Sequence, residues 1–182
     1  ATLDGLSGEL RGKRIANAAI FARSAEAAAL SFDYKGAAVD FAEAHDWVKD
    51  ADRNLAWRYQ WSQALWLANH GEESGDSGAI SQAIRLYERS LGYLTPGRNP
   101  VDWAQTQNDL AVALRKLGEI RGDAGLLQRA LAANQQALTV RSRTMLPAKW
   151  ADTQMNLGNV LATLAAVTGD TSQLHSAIAA YQ

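Results

Sequence analysis

One stretch of this chain is written twice. Trp103-Ala-Gln-Thr-Gln-Asn-Asp-Leu-Ala-Val-Ala-Leu114 returns 47 residues later as Trp150-Ala-Asp-Thr-Gln-Met-Asn-Leu-Gly-Asn-Val-Leu161, and a proline stands three residues before each tryptophan, at Pro100 and Pro147. Gly122-Asp123 and Gly169-Asp170 keep the same offset, as do Ala130-Leu131 and Ala177-Ile178. So many matches at one spacing are internal repetition, and a unit too small to bury its own apolar face must stack on its neighbours. At 182 residues the chain holds about four such units.

Each unit reads as two helices. From Pro100 the apolar residues fall at Leu110, Ala113, Leu114, Leu117 and Ile120, a three-four spacing that marks one buried stripe. Pro100 suits the first turn, where its missing N–H costs no hydrogen bond. Gly122 then supplies a stop and Asp123 an acidic start for a second helix, striped by Leu126, Leu127, Ala130, Leu131, Ala137 and Leu138. Pro147 opens the same pattern with Leu157, Val160, Leu161, Leu164 and Val167, and Gly169-Asp170 turns it into Leu174, Ala177, Ile178 and Tyr181. Upstream, Gly75-Asp76 lies 47 residues before Gly122-Asp123, after a helix expected from about Asp52 to His70. No strand pattern interrupts the series.

The first fifty residues carry Phe21-x-x-Ser24-Ala25-x-x-Ala28, then Asp33-Tyr34, then Ala37-x-x-x-Phe41-x-x-Ala44. The later units answer with Ala83…Tyr87…Ser90, Ala130…Asn134…Ala137 and Ala177…Tyr181. This arrangement resembles the tetratricopeptide repeat (TPR) over essentially the whole chain. The resemblance implies an all-α, right-handed α-solenoid of about four antiparallel helical hairpins, with repeats at about 1–48, 49–95, 99–145 and 146–182 forming one array. Two departures are plain. The usual repeat is about 34 residues, whereas this one recurs every 47, so each unit holds roughly two extra helical turns. Gln107 and Gln154 also stand where the pattern wants an aromatic residue, and the tryptophans sit one turn earlier.

Eighteen basic and nineteen acidic residues leave a net charge of −1, which disfavours nucleic acid or an anionic membrane as partner. The absence of cysteine excludes disulfides and thiolate metal sites. Ile15 to Leu30 is broken by Arg23 and Glu26 and is too rich in alanine for a membrane span. A chain that starts on Ala1 and stops at Tyr181-Gln182, inside a helical pattern, reads as a piece of a longer polypeptide, any targeting signal of which could lie outside it; the location is unknown, with the cytoplasm as the default.

Candidate chemistry is sparse. Gly75-Asp76-Ser77-Gly78 matches the peptide around a serine-protease nucleophile, but it coincides with the repeating turn, and the histidine, carboxylate and β-barrel of such enzymes are missing. His45, His70 and His175 are scattered through different units without a second ligand at helical spacing. Glu72-Glu73 beside Asp76 reads as a solvated acidic turn, and the glycines at 5, 8 and 12 follow no strand that would make them a phosphate loop. The expectation is a non-catalytic protein with no cofactor and no metal.

Four of the six tryptophans, Trp47, Trp57, Trp61 and Trp66, lie in or beside the second unit. They either fill interfaces between long helices or present an aromatic anchor to a partner. In the TPR family the first helices line a concave groove, and the resemblance carries its contact offsets to Arg58, Trp61, Leu65 and Asn69 in the second unit. It carries them to Gln105, Asn108, Val112, Arg115 and Lys116 in the third, and to Asp152, Met155, Asn159 and Thr163 in the fourth. These residues would hold a partner peptide or protein; the other reading of the amides is solvation or helix-to-helix packing. In the groove reading, Asn108→Ala with Asn159→Ala weakens binding while sparing the melting temperature. The Lys/Asn clamp for a C-terminal carboxylate is not matched, since the paired positions are Trp61/Leu65, Asn108/Val112 and Met155/Asn159. The function implied is a protein–protein interaction module or scaffold. The alternative is a self-assembly or regulatory module of a larger protein, associating through the apolar ends of the solenoid, with a homo-oligomer as the possible product.

Overall fold

The computed structural model describes residues 3–181, and these form eight α-helices with no strand among them. They are α1 (Leu3–Leu30), α2 (Tyr34–Val48), α3 (Arg53–Ser74), α4 (Ser77–Leu91), α5 (Pro100–Arg121), α6 (Ala124–Leu138), α7 (Pro147–Thr168) and α8 (Ser172–Tyr181). Ala1 and Gln182, on which the expectation of a longer chain turns, lie outside the described residues.

The 47-residue period reappears in the helices themselves. α3, α5 and α7 each run 22 residues, and α4 and α6 each run 15, every start being 47 residues after its counterpart. α3 thus runs one turn beyond the end expected near His70. The reason lies in the caps. Gly75, Gly122 and Gly169 end the long helices at φ of 71°, 61° and 74°, a left-handed conformation that glycine adopts without a Cβ penalty. The aspartate after each of the first two caps the next helix: Asp76 accepts from the Gly78 and Ala79 amides, and Asp123 from those of Gly125 and Leu126. The Gly-Asp-Ser-Gly string is therefore a helix stop joined to a helix start. Gly5, Gly8 and Gly12 lie on α1.

The small residues of the repeat sit where the helices close on one another. Ala64 and Ala83, Ala111 and Ala130, and Gly158 and Ala177 are all buried, as are Ala25, Ala37, Phe41 and Ala44 in the first unit. Gly71 allows a closer approach still, because a Cβ there would stand 2.7 Å from Ile80 Cγ1 and 2.8 Å from the Asp76 carbonyl oxygen.

The helices divide into two compact units, Ala1–Tyr93 and Leu94–Gln182. In the first, α1 packs on α2, α2 on α3 and α3 on α4; in the second, α5 packs on α6, α6 on α7 and α7 on α8, and α5 also meets α7. One core of the first unit joins Ala18, Ala22 and Ala25 of α1 to Phe41, Ala44 and Val48 of α2 and to Ala56 and Tyr59 of α3. In the second, Leu114, Leu127 and Val160 are buried to 1% exposure or less, each contributing about 2 kcal/mol. No helix among the described residues is long and apolar enough to cross a membrane.

Candidate binding surfaces

In the first unit the expected contact residues lie on α3. The indoles of Trp57 and Trp61 lie 6.2 Å apart, Arg58 is exposed with its guanidinium 5.3 Å from the Tyr59 ring, and Leu65 and Asn69 are half-buried. Neither tryptophan is fully buried. This face is amphipathic, with apolar rings and a guanidinium within reach of solvent. Trp66, about 100° round the helix from Leu65, turns the other way and stacks on Tyr34 at 5.3 Å. The far end of the unit is held by Arg53, which donates to the carbonyls of Gly92 and Tyr93 at 2.7 and 2.8 Å. His45 approaches the Tyr93 hydroxyl at 3.1 Å, and burial lowers its pKa against the opposing charge of Asp46.

In the second unit the expected groove residues Gln105 and Asn108 are engaged inside the protein. The partner of Gln105 is Arg141, which follows α6 and is only 3% exposed. Its Nη2 donates to Gln105 Oε1 at 2.8 Å and its Nη1 to Thr153 Oγ1 at 2.8 Å. Gln105 passes the interaction on, its Nε2 donating to both carboxylate oxygens of Asp109 at 2.9 Å. Asn108 Oδ1 accepts from Asn156 Nδ2 at 3.1 Å and lies 3.0 Å from Thr153 Oγ1, whose single proton is shared with the Lys149 carbonyl. Burial lowers the Arg141 pKa, and the carboxylates of Asp109 and Asp152 oppose that shift. The network ties α5 to α7, so the amide of Asn108, 7% exposed, serves helix-to-helix packing.

The remaining positions differ in their surroundings. Arg115 is half-buried and pairs with Glu119 at 3.1 Å. Val112, Lys116 and Thr163 are half-buried, and Asp152 is exposed. Met155 is 54% exposed and lines an open cleft with Trp150, Gln154 and Tyr181. Asn159 accepts from the Tyr181 hydroxyl at 2.8 Å. Sequence reasoning missed Arg141, Asp109, Thr153 and Asn156. Two signals were present: a threonine kept at both 106 and 153 inside an apolar stripe, and an arginine 47 residues after the buried Leu94. Among the described residues no group of three or more His, Asp or Glu side chains is placed to hold a metal ion.

No family model and no curated protein matches the chain. Among solved structures it is similar to one named "DHF58 filament", with 17% identity and a TM-score of 0.51 over 93% of this chain and 92% of that one. What the two share is an all-helical fold.

Proposed function

We propose that this chain is a non-catalytic protein-interaction module of tetratricopeptide type, a right-handed solenoid of antiparallel hairpins that binds a partner peptide or protein along its first helices. The observation that carries this reading is the α3 face, where Arg58, Trp61 and Leu65 combine a guanidinium, an indole and an aliphatic side chain at partial exposure. Such faces supply the aromatic and arginine anchors that dominate protein interfaces. Gln105 and Asn108 leave the contact set, since their amides are bound internally. Affinity capture with the wild-type chain and with Arg58→Ala/Trp61→Ala is the test. The expected result is at least one partner lost in the variant at unchanged helicity; identical capture by both proteins would refute a site on α3.

A second reading is self-association through α8, and a specific observation favours it. Leu174, Ile178 and Tyr181 are 43%, 55% and 51% exposed, whereas Leu127 and Asn134, the counterparts of Leu174 and Tyr181, are fully buried on α6, which packs against α7. α8 thus leaves partly open a face whose counterparts on α6 are buried, Tyr181 itself lying against Gly158 and Asn159 of α7, and the similar solved structure is, by its name, a filament and so an assembly. Light scattering over a concentration series is expected to show mass rising with concentration in the wild type and constant in Ile178→Glu. A concentration-independent monomer would exclude this reading.

A further inference from the structure

One contact recurs between the helices of this chain, and its two halves are left open on different helices. Counterparts lie 46 residues apart between the first and second copies, as Ala18 and Ala64, Ala37 and Ala83, and Phe41 and Tyr87 do, and 47 apart thereafter. In that register Ile20, Trp66, Ala113 and Val160 share one position on the first helix of each copy. Trp66 is half-buried against Tyr34, and Ala113 and Val160 are 3% and 1% exposed, whereas Ile20 is 55% exposed. Tyr34, Ile80, Leu127 and Leu174 likewise share one position on the second helix. Ile80 and Leu127 are exposed to 1% or less, whereas Leu174 is 43% exposed.

In the first unit these two positions meet, since Tyr34 of α2 stacks on Trp66 of α3 at 5.3 Å. Seven residues on, Phe41 of α2 stands 6.2 Å from Tyr59 of α3. The counterpart of Phe41 is Tyr181. Its ring rests on Gly158 of α7, just as Phe41 shares a core with Ala18 of α1, the counterpart of Gly158. Phe41, with Tyr59 against it as well, is 5% exposed; Tyr181 is 51% exposed. Ile178, 55% exposed, lies between Leu174 and Tyr181 on the same stripe of α8.

We propose that α8 of one copy receives α1 of a second copy of this chain, repeating between chains the contact that α2 makes with α3 within one. The register places Leu174 on Ile20. It places the Tyr181 ring on Lys13, which stands where α3 has Tyr59 and which pairs with Glu9 at 2.7 Å. A lysine can lay its apolar stem along a tyrosine ring while its ammonium keeps that partner. Ala16 and Ala27, exposed on the same face of α1 as Ile20, are small enough for the helices to close. The two surfaces are unlike, so the contact is heterologous and builds rings or open chains. The assignment rests on the self-association reading and deepens it, since it names the surface that α8 receives.

The test uses whole chains altered at one surface or the other. Ile20→Glu and Leu174→Glu change exposed residues, so each should keep the wild-type helicity. Each alone should weaken association about tenfold or more, the loss of one buried aliphatic contact. Mixed one to one, the two variants should form a dimer and nothing larger by light scattering, because each supplies the surface the other lacks. The chain has no cysteine, so oxidising Ile20→Cys together with Leu174→Cys gives a readout independent of added charge. Mixed disulfide dimers are expected to exceed both homodimers. An Ile20→Glu protein that associates as the wild type does, or Leu174→Cys homodimers as the main product, would overturn the α8–α1 pairing and leave self-association through α8 standing. A wild type that stays monomeric at every concentration would remove both.

Discussion

Arg141→Ala is expected to destabilise the second unit by about 3–5 kcal/mol, since two hydrogen bonds from a buried charged group are lost at about 1.5–3 kcal/mol each. The substitution leaves Gln105 Oε1 without its charged donor, withdraws the Nη1 contact from Thr153, and removes the guanidinium charge that the Asp109 carboxylate favours. Arg141→Lys should recover only part of the loss, because an ammonium cannot reproduce two donors held in one plane. A double-mutant cycle with Thr153→Val should give a clear coupling energy across the 2.8 Å contact. Thermal unfolding followed by circular dichroism provides the readout, and a wild-type melting curve for Arg141→Ala would show that the network contributes nothing. Asn108→Ala belongs to the same set. Its carbonyl oxygen serves Asn156 and Thr153, so its truncation should lower stability by about 1–3 kcal/mol. The unchanged melting temperature that a groove role implies is not expected.

Gly71→Ala should likewise destabilise, by about 1–3 kcal/mol through overpacking, although alanine is the better helix former by about 1 kcal/mol. The added Cβ meets the Asp76 carbonyl oxygen at 2.8 Å, a backbone atom held by the cap of α4 and unable to swing aside. Gly118→Ala should cost less, since its closest neighbours are side-chain atoms of Leu127 and the nearest backbone oxygen is 3.2 Å away. Gly8→Ala is the control. Nothing stands within 4 Å of a Cβ there, so this variant should gain about 0.5–1 kcal/mol. Chemical denaturation of the three variants checks the order, and a Gly71→Ala protein as stable as Gly8→Ala would show that the α3–α4 crossing has slack.

The elements themselves were legible because their signals are local. Pro100 and Pro147 mark helix starts, the Gly-Asp pairs mark a stop followed by a cap, and three-four spacing marks the buried stripe except at its end, where Ile120 is 48% exposed; each needs only residues within one turn of itself. The same locality explains why Ala130 and Ala137, read as part of the stripe of α6, are buried. The contact residues were less legible. Asn108 and Asn159 occupy contact offsets in the resemblance, yet one is locked between helices and the other meets Tyr181 at the edge. Nothing within a turn of either residue distinguishes them.

By itself, then, the sequence determined an all-helical chain with a 47-residue period, its proline helix starts and its Gly-Asp junctions, because periodicity and capping depend on neighbours along the backbone. Only the tertiary structure decided that Arg141 enters the interior to join Gln105 on α5 with Thr153 on α7, partners 36 and 12 residues away. It also decided that Tyr34 stacks on Trp66 of α3 at 5.3 Å. Those pairings depend on which helix lies across from which, and at what distance, a quantity the packing of whole stripes sets and no single stretch of chain contains.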